Sequence, residues 1–338
     1  MTSFRQYLDR VKPLVDARIE ETARTKLKDD HLSKMLLGGK RLRAGLLCLV
    51  YEATSGKRVE DVLDLACAIE LAHSASLIID DMLDDDDERR GMPTIHITEG
   101  HKRAMLDTVG VLSLPYDMVV PFGQDYVQSL AETQRGMVTG VLREMFQKPE
   151  LPASMIYDTI IGQKTGRAFG LASSWGYVSG LNGKRNADRS LEEAWWDYGT
   201  RVGKAMQIAD DIADLKAVMN SNKRTGFGSE MLLLRCVTAE RLAHELFSDI
   251  RKLDLHIEKA RELWSTEGAQ NSLRRKLGSE IHRAERLASV LAPAKSSWAG
   301  LLLSVPSEIA EIMLGEDGER ASLRIDPLVP AAASTITI

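Results

Sequence analysis

The chain has 338 residues, and its 44 basic side chains stand against 49 acidic ones for a net charge of −5. That mild acidity excludes a surface built to hold nucleic acid or another polyanion. A hydrophobic share of 44% supplies a substantial core, and the length fits one large helical domain. The opening stretch MTSFRQYLDR is polar, without a signal-peptide core. Val11, Leu14, Val15 and Ile19 then recur at helical spacing. Gly38-Gly39-Lys40-Arg41-Leu42-Arg43 follows, with glycines that let backbone approach a ligand and cations that suit an anion. The bland alternative is a basic turn before a helix.

Leu63, Ala66, Cys67, Leu71 and Ala75 predict a helix that runs through Leu77-Ile78-Ile79 into Asp80-Asp81-Met82-Leu83-Asp84. Acidic residues continue to Glu88, and Arg89-Arg90-Gly91, Pro93-Thr94 and His96 come next. Lys164-Thr165-Gly166 places a cation and a hydroxyl beside a glycine that loosens a helix. Met206-Gln207-Ile208-Ala209 leads into a second cluster, Asp210-Asp211-Ile212-Ala213-Asp214. Leu242, Leu246, Ile250 and Leu253 continue the helical habit, and the tail from about Pro327 is expected to be mobile. Strand signals are scarce, so the expectation is an all-α chain of eight to eleven helices, one domain over residues 1–326. Cys48, Cys67 and Cys236 lack paired or metal-type spacing and read as reduced core residues of a cytoplasmic protein. No apolar stretch reaches the roughly 20 residues of a membrane span, so no integral membrane segment is expected.

The two aspartate clusters dominate. Carboxylates at i and i+4 share a helix face about 6 Å apart. Two such faces pointing at each other would gather six carboxylates that repel one another unless cations bind, which favours Mg²⁺ and a polyphosphate. Taken alone, the first cluster also reads as a solvated helix end. The second follows apolar residues, and without metals its aspartates would need separate partners.

In their order along the chain, the Gly-Gly-Lys-Arg turn, His73, the first aspartate cluster with Arg-Arg-Gly, Lys-Thr-Gly and the second cluster resemble the trans-isoprenyl diphosphate synthases, between about Leu36 and Gly228. The resemblance implies an all-helical bundle with a deep central cavity. It implies that Asp80, Asp81, Asp84, Asp210, Asp211 and Asp214 hold three Mg²⁺ ions on the diphosphate of an allylic substrate: dimethylallyl, geranyl or farnesyl diphosphate. Arg89, Lys164 and Gln207 would contact that substrate, and Lys223 would close a flap. Lys40, Arg43, His73 and Arg90 would receive isopentenyl diphosphate, and Thr165 would set an oxygen dipole near the developing cation. A homodimer is the family expectation.

The chain departs from the pattern in places. Leu106 to Gly110 replaces a Gly-Asp pair, Pro115 and Pro121 should disturb that helix, and Met137 follows Gly136 where glutamine is usual. After the second cluster, Gly228-Ser229-Glu230 and Arg235-Cys236 replace the expected Gly-x-Asp and Gly-Lys. Chain length should depend on the side chain five residues before the first aspartate, here Ala75, followed by Ser76. A small residue there leads to a twenty-carbon product, geranylgeranyl diphosphate, with Leu112, Tyr116, Met118 or Phe122 as the floor. The competing readings are a synthase of farnesyl or longer chains, a terpene cyclase on the same scaffold, and a non-catalytic partner subunit.

Overall fold

Apolar residues at three- and four-residue spacing give a chain that is helical almost throughout. The computed structural model describes residues 2–146, 153–181, 189–220, 266–293 and 296–315. The helices are α1 (Phe4–Lys26), α2 (Asp30–Met35), α3 (Leu42–Ser55), α4 (Leu63–Leu83), α5 (Ile95–Thr98), α6 (His101–Val119), α7 (Gln124–Phe146), α8 (Ala153–Ile161), α9 (Arg167–Gly180), α10 (Arg189–Asn220), α11 (Glu267–Leu291) and α12 (Ala299–Leu314). A π-helical turn, Gly162–Gly166, joins α8 to α9.

Every residue of α3 from Leu42 to Ala53 is buried, the pattern of a helix enclosed on all sides. It packs along α9, α9 packs along α10, and α4 lies against α6. A second apolar cluster joins Tyr157 and Ile161 of the α8 segment to Ala205, Ile208 and Ala209 of α10 and to Leu273 and Leu277 of α11. At the N-terminus a reciprocal cap closes α1: Ser3 Oγ accepts from Gln6 N at 3.2 Å, and Gln6 Oε1 accepts from Ser3 N at 3.0 Å.

Three expectations change. Pro115 does not break α6, which runs through it to Val119. The proline is buried, so packing outweighs one missing hydrogen bond. Pro121 does disturb the helix as expected: α6 ends at Val119 and gives way to a 3₁₀ turn, Val120–Phe122, where the absent N–H is not needed. A short hairpin, β1 (Glu88–Arg89) with β2 (Met92–Pro93), turns through Arg90 and Gly91, both left-handed at φ 56° and 77°. Paired positive φ is the two-residue hairpin geometry, and glycine at the second position eases it. The stretch 59–83 is long and apolar enough to cross a membrane by length and composition, yet 61% of its most apolar window is buried inside the fold. It carries Asp64, Glu70, Asp80 and Asp81, and it serves here as a core helix. The expected tail after residue 326 lies outside the described residues.

Candidate active site

Asp80 and Asp84 close α4, Asp84 being its C-terminal cap. Burial holds both carboxyls above their ordinary range; Lys164 opposes that shift and Glu144 adds to it. Asp81, a quarter-turn round the helix, is buried and ion-paired to Arg89 Nε. The Arg90-Gly91 turn makes that pairing by folding Arg89 back beneath the helix end. Arg89 also lies 3.5 Å from Asp86.

Lys164 projects from the π-helical turn, a local widening that recurs at functional sites. Its Nζ lies 2.8 Å from Glu144 Oε2 on α7. Burial would lower the ammonium, but Glu144, Asp80 and Asp84 together raise it. Helix α7 comes close enough for this because of Gly140, where a Cβ would stand 2.7 Å from Lys164 N. Glu144 belongs to no motif and was not anticipated; only its position one turn after Gly140 hints at it.

On α10, Asp210 is held up by burial and drawn down by Lys40, Arg43, Lys164 and Arg89. Lys164 and Arg89 therefore act on Asp80, Asp84 and Asp210 alike, so both clusters lie within range of the same two cations. Asp214, raised by burial and by Asp210, reaches about 6. Asp211 differs. It is buried and accepts hydrogen bonds from Tyr157 OH at 2.6 Å and Gln207 Nε2 at 2.9 Å. Gln207 Oε1 in turn accepts from Thr165 Oγ1 at 2.7 Å.

The donor set suits a divalent cation. The side chains of Asp80, Asp84, Asp210 and Asp214 make no hydrogen bond or ion pair among the described residues, and burial outweighs the nearby cations to leave them with a raised tendency to take up a proton. Among the described residues no three acidic, histidine or cysteine side chains come close enough to enclose an ion alone. Mg²⁺ usually takes one or two carboxylates, with water and substrate phosphate completing its shell.

Arg90 Nη1 donates to Leu37 O at 3.2 Å, joining the hairpin to the Gly38-Gly39 turn. Arg43 is buried, its guanidinium 4.9 Å above the Phe169 ring. His73 is pushed well below its ordinary value by burial, then by Arg43, Arg90, Arg89 and Arg41, and so stays neutral. Lys40 is exposed, its Nζ 3.2 Å from Met313 Sδ. Arg41, which the motif reading passed over, holds the turn in place: Nε donates to Asp16 at 2.7 Å and Nη2 to Leu36 O at 2.7 Å, with Glu70 at 3.6 Å. Lys223 and residues 228–236 lie outside the described residues.

Below Asp80 a narrow apolar pocket lies between α4, α7 and α9. Ile69, Ala72 and His73 line it from α4, Leu130, Thr133, Gln134 and Met137 from α7, and Ala168 and Leu171 from α9. Neither Ala75, which is fully buried, nor Ser76 lines it directly. At roughly 100° per residue, Ser76 shares the face of Ala72 and Asp80, whereas Ala75 points elsewhere. None of the four α6 candidates lines the pocket; Tyr116 reaches it through Gln134 Oε1, to which it donates at 2.5 Å. Met137, standing in for the usual glutamine, is part of the wall, and Leu106 of the altered Gly-Asp segment is 71% exposed.

A family model described as polyprenyl synthetase matches residues 26–227. The geranylfarnesyl diphosphate synthase of Methanosarcina mazei is 30% identical over 257 residues, 75% of this chain and 84% of that protein. The geranylgeranyl pyrophosphate synthase of Geoglobus acetivorans is 30% identical over 272 residues, 74% of this chain and 81% of the relative. The farnesyl diphosphate synthase of Bacillus subtilis is 30% identical over 253 residues, 70% and 81% of the two chains. A crystal structure of a decaprenyl diphosphate synthase from Rhodobacter capsulatus shares the fold, with a TM-score of 0.75 at 22% identity, over 92% of this chain and 98% of that one. With more than half its length matched, and relatives aligned over most of theirs, the chain belongs to the polyprenyl synthetase family of prenyl diphosphate synthases.

Proposed function

We propose that this enzyme extends an allylic diphosphate with isopentenyl diphosphate and releases a twenty-carbon product, geranylgeranyl diphosphate. The observation that carries the reading is the shared space: Asp80, Asp84 and Asp210 all answer to Lys164 and Arg89, with the arginine-rich side adjacent and an apolar pocket beneath. Asp80, Asp84, Asp210 and Asp214 would hold Mg²⁺, three ions in all, which when bound would neutralise the diphosphate and help it leave. Asp81 and Asp211, already partnered, support this array from behind. Lys164 and Arg89 would grip the departing oxygens, and Gln207 would fix Thr165 beside them. Lys40, Arg43, Arg90 and neutral His73 would receive isopentenyl diphosphate, and Lys223 is proposed as a further substrate-binding residue. The allylic C–O bond breaks with its electron pair going to diphosphate. The double bond of isopentenyl diphosphate then forms the new C–C bond, and a proton leaves to the diphosphate. Enclosure keeps water from the cation.

The names of the relatives span farnesyl to geranylfarnesyl products, so length is argued from the pocket. Ala72 and Ala168, with Ser76 on the same helix face as Ala72, leave room for growth past fifteen carbons, and Leu130, Met137 and Leu171 narrow it beyond. Residues through about 326 form one catalytic unit in this reading. The enzyme works as a homodimer. Met105, Leu106 and Val109 on α6, with Val138, Leu142 and Met145 on α7, are 45% to 71% exposed and form one apolar stripe on each helix. A cytoplasmic setting suits Cys48 and Cys67, which are buried unpaired thiols. The test is incubation of the purified chain with Mg²⁺, isopentenyl diphosphate and each allylic diphosphate in turn, with products sized by chromatography. Twenty-carbon diphosphate is expected; only fifteen- or twenty-five-carbon product would overturn the length, and no turnover with any substrate would overturn the function.

A further inference from the structure

We infer that Tyr157 and Asp211 are positioning residues that fix which way the Thr165 hydroxyl points its proton. The inference rests on the proposed role of Thr165 beside the developing cation. Three hydrogen bonds run in one direction: Tyr157 OH to Asp211 Oδ2 at 2.6 Å, Gln207 Nε2 to Asp211 Oδ1 at 2.9 Å, and Thr165 Oγ1 to Gln207 Oε1 at 2.7 Å. The order follows from what each group is able to do. Both Asp211 oxygens accept, one from Tyr157 and one from the Gln207 NH₂, which turns the Gln207 carbonyl oxygen toward Thr165. Thr165 has one proton, and giving it to Gln207 leaves lone pairs alone for the space beside Lys164. A hydroxyl free to rotate would offer its positive end to a cation for part of the time.

Tyr157 sets the far end. Its side chain is fully buried between Ile161, Ala205 and Ile208, which hold the phenol still while its hydroxyl reaches Asp211. Asp211 is 1% exposed, and both of its oxygens are engaged. It thus serves the reaction by orienting a dipole, in contrast to Asp210 on the next position of the same helix. Because the dipole matters only as positive charge appears on carbon, its loss should fall on turnover and spare the binding of either diphosphate.

The experiment is steady-state kinetics on Tyr157→Phe, Thr165→Val, their double variant, Asp211→Asn and Asp210→Asn, with thermal melts to verify folding. Tyr157→Phe should lower kcat about tenfold, the worth of one buried hydrogen bond, with both KM values and the half-saturating Mg²⁺ unchanged. In the Thr165→Val background the same change should do nothing further, because the hydroxyl it orients is gone. Asp211→Asn should lower kcat without moving the Mg²⁺ requirement, whereas Asp210→Asn should raise it. Equal Mg²⁺ shifts for the two aspartates, or losses from Tyr157→Phe and Thr165→Val that simply multiply, would overturn the inference. A wild-type enzyme that forms no prenyl diphosphate would instead overturn the function beneath it.

Discussion

The two aspartate clusters have the same spacing but are built by different means. The first ends a helix: its carboxylates sit where the negative pole of α4 repels them, and Asp81 is held by a cation, Arg89, delivered by a hairpin turn. The second lies within α10, and Asp211 is held by neutral donors, Tyr157 and Gln207, inside a packed core. The middle residue of one array is balanced by charge and that of the other by neutral donors in a packed core. Between them Lys164, on a π-helical turn, reaches both. The comparison teaches that the middle aspartate of each motif already has protein partners, whereas the proposed function assigns the outer ones to cations.

The largest effects should come from the outer residues. Asp80→Asn and Asp210→Asn should each lower kcat/KM about 10²- to 10³-fold with a raised Mg²⁺ requirement, as measured by initial rates across Mg²⁺ concentrations. Asp81→Asn, which only loosens Arg89, should cost about tenfold. If all three lose equally, the division between anchors and ligands fails.

Product length gives the next contrast. Ser76→Phe should shift chromatographed products toward fifteen carbons. Ala75→Phe, buried away from the pocket, should overpack the core by about 1–3 kcal/mol and lower Tm with less change in length. A clean shortening by Ala75→Phe alone would restore the sequence-based floor. On the first cluster's side of the molecule, Leu106→Glu combined with Leu142→Glu should convert a dimer to monomer by light scattering; an unchanged mass would place the interface elsewhere.

The smallest effect concerns pH. Asp214 has a folded value of about 6, above the unfolded carboxylate, so its contribution to stability is present at low pH and is lost as pH rises through about 6. Asp214→Asn should therefore flatten the fall in Tm between pH 4 and 7 in metal-free protein, and Mg²⁺ with diphosphate should reverse that fall in the wild type. An unchanged slope would show that Asp214 titrates normally.

The helices and the family were legible because both are written in local spacing: i, i+4 aspartates, Gly-Gly before Lys40, and a glycine after Thr165. What the sequence hid depends on how one helix is turned toward another. Ala75 and Ser76 look alike as small residues before Asp80, and only helical phase against α7 and α9 separates them. Glu144 and Tyr157 are far along the chain from their partners, Lys164 and Asp211, and carry no motif. The hairpin escaped notice because Arg-Gly is a weaker signal than Asn-Gly for a paired left-handed turn. Pro115 misled because its ring packs on the buried face of α6, where packing outweighs one missing hydrogen bond.

The central claim is that both clusters bind one Mg²⁺–diphosphate unit. Calorimetric titration of Mg²⁺ and inorganic diphosphate into wild type, Asp80→Asn, Asp210→Asn and the double variant tests it directly. Shared binding predicts that either substitution alone removes most of the binding heat and that the second removes little more. Independent losses that add in the double variant, or full binding after either change, would contradict it.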